Sequence, residues 1–132
     1  MLLAKEVYPH INGKVHAQTS PFAALDIKNA TEKTIQHAQK LVAIFDSLGI
    51  RKCVCHLHYP MPSVLASDTG RDRVCIKIPA TPESLVACEK LSQLNINTLA
   101  TCVFSVAQAQ AAAQAGCLYV APYFNGQGHP FL

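Results

Sequence analysis

A short strand-like run followed by a helix with its own start and stop signals recurs along this 132-residue sequence, and that alternation constrains the fold more than any other feature. KVHAQT (14–19) alternates apolar and polar residues up to the break at Ser20-Pro21, as a half-buried strand does. NATEKTIQHAQKLVAIFDSLG follows, with Asn29 as cap, Glu32 three residues later, and Ile35, Ala38, Leu41, Val42, Phe45 and Leu48 on one face. Gly49 is placed to end that helix. The grammar then repeats: Val74 to Pro79 is a strand, Thr81 an N-cap, Pro82 the first helical position, and Leu85, Cys88, Leu91 and Leu94 form a stripe. NTLATCVF is a third strand, SVAQAQAAAQAG a helix stopped by Gly116, and CLYVAPYF a fourth strand. Strands and helices joined by short links argue for an α/β fold with a parallel sheet, of the kind found in (β/α) barrels.

With 50% hydrophobic and 14% charged residues, the sequence has the profile of a globular core, and one domain over 1–132 is expected. Eleven basic residues scattered among eight acidic ones give a net charge of +3 without a basic block, so nucleic acid is not indicated. No apolar run approaches the roughly 18–20 residues that span a bilayer, and MLLAKEV meets a charge too soon for a signal peptide. A cytoplasmic protein without a membrane partner is therefore expected. Cys75, Cys88, Cys102 and Cys117 fall inside predicted strands and helices, where they read as reduced core thiols.

Two segments break the pattern. CVCHLHYPMPSVLASDTGR (53–71) is an irregular insert with no clear period, and GQGHPFL (126–132) is an atypical tail. Cys53, Cys55, His56 and His58 are residue types that zinc and copper sites use. No second Cys or His pair follows at finger spacing, so no metal is assigned. His37 reads as a surface residue.

The residue that fits least well is Lys77, inside the apolar run DRVCIKIPATPES. Strands of a parallel barrel are covered on both faces and should be almost uninterruptedly apolar. One reading makes Lys77 an edge-strand lysine that discourages edge pairing, or a long stem reaching solvent at a strand end. The other places it at the face of the barrel where active sites are built. Apolar surroundings there favour the neutral amine, which is a nucleophile towards carbonyls.

RVCIKIPATPESLVACEKL, then NTLATCVFSVAQAQAAAQAGCLYVAPYFN, preceded by GKVHAQT, resembles the transaldolase family, including its relatives the fructose-6-phosphate aldolases. The resemblance implies a Schiff-base enzyme of carbohydrate metabolism, in the pentose phosphate pathway or a related aldol reaction, acting on a sugar phosphate without a cofactor. Lys77 falls on the family's Schiff-base lysine. Gln18 and Thr101 fall where the family holds a water for proton transfer, Tyr123 where the aldolase branch has a tyrosine that assists it, and Asn125 on a substrate-binding position.

The chain also departs from that pattern. Four strands match the third to sixth units of a partial (β/α)8 TIM barrel, which leaves the first two and last two units, with an acid-base Asp and part of a phosphate clamp, unmatched. Gly126 stands where the family has a phosphate-binding Arg, and Leu99 where transaldolases carry a sugar-binding Asn. Removing 53–71 would restore the family's usual spacing, so the insert reads as translated non-coding sequence or a splice variant. Whether the chain is catalytic stays open at this point: the alternative is an inactive half-barrel acting as a homo-oligomer or by pairing with a full-length relative.

Overall fold

The computed structural model describes residues 2–26, 28–50 and 73–123. Helix α1 (Leu2–Val7) and a 3-10 turn (Tyr8–His10) lead to strand β1 (Val15–Gln18). Then come α2 (Pro21–Ala24), α3 (Ala30–Ser47), β2 (Val74–Pro79), α4 (Pro82–Gln93), β3 (Asn97–Val103), α5 (Val106–Gln114) and β4 (Tyr119–Pro122). The four strands form one parallel sheet in the order β1-β2-β3-β4, with a helix between each neighbouring pair. This is an α/β fold, part of a (β/α)8 barrel.

Apolar periodicity decides the layers. Val74, Ile76 and Ile78 of β2 pack into one core with Ile35, Ala38, Val42 and Phe45 of α3 and Ala87, Cys88 and Leu91 of α4. Burying a side chain such as Phe45 there contributes about 1.5–3 kcal/mol. A second, smaller core of Ala80, Ala100, Val103 and Ala112 lies under α5, whose alanines let the helix approach the sheet closely. Leu94, assigned to the α4 stripe from the sequence, is instead 51% exposed. The helix ends at Gln93, and Leu94 occupies the C-cap, where the stripe no longer faces the sheet.

All three long helices stop in the same way. The N–H groups of Gly49 and Ile50 bond the carbonyls of Asp46 and Phe45. Those of Asn95 and Ile96 bond Ser92 and Leu91, and those of Gly116 and Cys117 bond Ala113 and Ala112. These are Schellman motifs, and Gly49, Asn95 and Gly116 take the left-handed conformation the motif requires.

The starts differ. Thr81 caps α4 through its side chain as expected, accepting from Ser84 N–H. Asn29 occupies the N-cap of α3 but makes no side-chain cap bond. Asp26 fixes that entry instead, its Oδ1 accepting the N–H groups of Lys28 and Asn29 while Oδ2 pairs with Lys33. Lys33 is what chiefly holds the Asp26 carboxyl below its ordinary range, followed by the Asn29 hydrogen bond. Among the described residues, no helix is long and apolar enough to cross a membrane.

Candidate active site

Because β2 sends Val74, Ile76 and Ile78 to the helices, alternation turns Cys75, Lys77 and Pro79 to the opposite, concave face. The strand register carries that face across the sheet. Gln18 lies opposite Lys77, Lys77 opposite Leu99, Pro79 opposite Thr101, and Leu99 opposite Tyr119.

Three inter-strand gaps would hold the edges of a flat four-stranded sheet about 14 Å apart. Yet the rings of His16 on β1 and Tyr119 on β4, the two outer strands, have centroids 6.0 Å apart. Side chains from the two edges therefore converge over the concave face, as barrel curvature demands. Cys75 and Leu99, between them on that face, are 0% and 7% exposed. Burial also pushes the Cys75 thiol up to about 12.

Lys77 is half-buried, and its strand lies between β1 and β3. The edge-strand reading of this lysine is therefore wrong. Its carbonyl is held twice by Thr19, through the backbone N–H at 3.0 Å and the hydroxyl at 3.4 Å. Gln18, the last residue of β1, is exposed beside it in register.

Thr101 is fully buried, and its hydroxyl donates to the Tyr123 hydroxyl at 3.3 Å. The Cys102 sulfur lies 3.9 Å from the same oxygen, and the Phe104 ring meets Tyr123 edge-on at 5.4 Å between centroids. A bulge brings these groups together. Between Ala100 and Val103 the β3 to β4 register slips, and Cys102 adopts a left-handed φ of 57°. An L-residue is strained there, and bulges of this type re-aim neighbouring side chains.

Sequence reasoning missed three contributors. Thr19 is one, Cys102 another. The third is Gln108, whose Oε1 accepts Phe104 N–H at 2.8 Å while its Nε2 donates to Ala80 O at 3.3 Å, joining the chain beyond β2 to the chain beyond β3. A signal for it was present: Ser105 caps α5 through Gln108 N–H, and Ser-x-x-Gln is the spacing of a capping box. His37, read from the sequence as a surface residue, is half-buried, and its Nδ1 accepts Ser20 N–H at 2.9 Å.

The described cysteines are free thiols. Cys117 differs from the others: a hydrogen bond from Cys88 lowers its thiol below the ordinary range, overcoming the burial that raises it, with help from Thr98 Oγ1 at 3.4 Å. Cys88, the other partner, is pushed up. Asn125, the Cys53, Cys55, His56 and His58 cluster, and the segments 53–71 and 126–132 lie outside the described residues. Among the described residues, no group of three or more His, Cys, Asp or Glu side chains is placed to hold a metal ion.

The family model described as Transaldolase/Fructose-6-phosphate aldolase matches residues 2–126. The chain belongs to the transaldolase/fructose-6-phosphate aldolase family. It is similar to the transaldolase of Methylobacillus flagellatus, with 31% identity over 123 residues, 93% of this chain and 32% of the relative. To the transaldolase of Methylomonas aminofaciens it has 30% identity over the same shares of the two chains. To that of Glaesserella parasuis it has 30% identity over 118 residues, 89% of this chain and 30% of the relative. The chain thus spans about a third of the length of the curated relatives it matches.

Proposed function

We propose that this chain is a transaldolase-like Schiff-base protein of carbohydrate metabolism, handling a ketose phosphate through Lys77. The observation that carries the reading is the position of that lysine. It lies on the concave face of an interior strand, with Gln18 in register on one side and the Thr101 and Tyr123 hydroxyls where the next strands end.

In this mechanism the Lys77 amine adds to the ketone carbon and water leaves, giving a protonated imine. That cation withdraws electrons from the bond between C3 and C4 as the C4 hydroxyl loses its proton. The bond breaks, an aldehyde departs, and the electron pair stays on a dihydroxyacetone enamine bound to Lys77. Adding that enamine to another aldehyde gives a new imine, whose hydrolysis releases the product ketose and frees Lys77. Protonating the enamine instead and hydrolysing the resulting imine releases dihydroxyacetone and completes a cleavage. Gln18 and Thr101 are too weak as bases to take the proton themselves, so their task is to orient a water, with the Tyr123 hydroxyl as its relay. The buried reduced thiols Cys75 and Cys88 suit a reducing compartment such as the cytoplasm.

The test is borohydride trapping with fructose 6-phosphate. A covalent adduct on the peptide containing Lys77, absent in Lys77→Ala, is the expected result, and a folded chain that never traps would overturn the reading.

A second reading draws on the exposed apolar residues Leu118, Tyr119 and Val120 at β4, which pairs only with β3 among the described residues. It is a non-catalytic half-barrel that works by pairing this edge with a second copy or a full-length relative. A concentration-dependent dimer in sedimentation, with no trapping, would favour it.

A further inference from the structure

The turn that leaves β1 depends on a side chain far along the sequence. Ser20 follows directly on Thr19 and lies at the N-cap of α2, where its own side chain makes no capping bond. Its backbone N–H points to His37 Nδ1, 2.9 Å away on α3. Thr19 is 1% exposed and gives both its N–H and its hydroxyl to the carbonyl of Lys77. Gln18, one residue earlier, is in register with Lys77. Helix α3 packs on both α2 and β2, so the imidazole is carried by the same element that backs the Lys77 strand.

We propose that His37 is a positioning residue for the Lys77 site: by accepting the Ser20 N–H it fixes where β1 ends, and through Thr19 and Gln18 it sets the geometry on one flank of the lysine. The proposal rests on the Schiff-base reading above. Nδ1 accepts in the tautomer that carries its hydrogen on Nε2. An acceptor held 2.9 Å from a backbone N–H leaves little freedom to the turn. Misplacing a reacting group by about 1 Å can cost on the order of a hundredfold in rate.

Two variants separate the hydrogen bond from mere packing. His37→Asn keeps an acceptor close to the place of Nδ1, whereas His37→Leu keeps bulk and removes the acceptor. With fructose 6-phosphate as probe, His37→Leu is expected to lower kcat between about tenfold and a hundredfold with KM little changed. His37→Asn is expected to restore most of it. Hydrogen exchange at the Ser20 amide supplies a readout independent of catalysis: protection should fall in His37→Leu and persist in His37→Asn. Equal behaviour of the two variants in both measurements overturns the proposal.

The two readings fail differently. If the parent chain neither traps nor turns over, the Schiff-base assignment falls and with it the catalytic role of His37, even if Ser20 exchange still separates the variants. If the parent traps and turns over but the variants match it, only the His37 proposal falls.

Discussion

Replacing Gly116 with alanine should destabilise the chain by about 2–4 kcal/mol, and much of that loss should vanish when Ser92 is also reduced to glycine. Gly116 terminates α5 at φ 76°, with its N–H bonded to Ala113 and the next N–H to Ala112. An L-residue there costs ~1–2 kcal/mol, offset by ~0.4–1 kcal/mol because alanine loses less freedom on folding. About 1 kcal/mol of strain is left.

The second contribution is steric. A Cβ on Gly116 would sit 2.6 Å from Ser92 Oγ and 3.0 Å from Ser92 Cβ on α4. Rotating the hydroxyl away relieves only the first contact, so α5 and α4 must separate, at an overpacking cost of ~1–3 kcal/mol. Gly49 is the internal control, since its φ is 72° and a Cβ there would meet nothing within 4 Å. Gly49→Ala should therefore cost only ~1 kcal/mol.

Equilibrium urea unfolding of Gly49→Ala, Gly116→Ala, Ser92→Gly and the Ser92→Gly/Gly116→Ala double variant completes the comparison. The double-mutant cycle should show a favourable coupling of ~1–2 kcal/mol. Equal losses at Gly49 and Gly116, or a cycle without coupling, would refute the reasoning.

Three further outcomes are expected. Thr101→Val and Tyr123→Phe should each reduce turnover, and the double variant should be little worse than the poorer single one, because their hydroxyls are joined at 3.3 Å and act as a unit. Urea unfolding should show each single change costing less than ~1.5 kcal/mol, and multiplicative losses in steady-state kinetics would mean the hydroxyls work separately. Thr34→Val should raise stability by ~1 kcal/mol, since the Thr34 hydroxyl is buried with no hydrogen-bond partner among the described residues; an unchanged unfolding midpoint would contradict this. Alkylation of Cys117 by iodoacetamide, followed by peptide mass spectrometry, should rise through a midpoint below that of an ordinary thiol, because the nucleophile is the thiolate and its fraction grows with pH. Thr98→Val should move that midpoint upward, and an unmoved midpoint would mean that the Thr98 contact does not stabilise the thiolate.

Much of the architecture was legible because the information is local. Thr81-Pro82 announces a helix start through one side-chain acceptor and one fixed φ, and the structure places both as expected. Gly49 and Gly116 announce helix ends because few other residues adopt a left-handed φ without strain. Asn29 misled because the approach to the helix is fixed by Asp26, three residues earlier, which accepts the N–H groups of Lys28 and of Asn29 itself, while the Asn29 side chain makes no cap bond. Helix α2 escaped notice because four residues are too few to display a period.

The site was legible only in part. Lys77 is conspicuous because a charge in an apolar parallel strand needs a reason. Cys102 gave no such sign, since nothing in TLATCVF marks a bulge; its left-handed φ follows from how β3 and β4 register. His37 resembled any histidine on a helix until its partner, 17 residues earlier, was known.

The sequence by itself determined the order of the four strands and of the three long helices between them, most of the helix faces that meet the sheet, and the family to which the chain belongs. Those depend on residue types at short spacings, and short spacings are read directly from the chain. Tertiary structure alone decided that Lys77 lies on an interior strand with Gln18 beside it. It also decided that Thr101 meets a hydroxyl 22 residues away and that His37 accepts the Ser20 N–H. Each of those facts depends on strand register and sheet curvature, which emerge only when distant segments pack together.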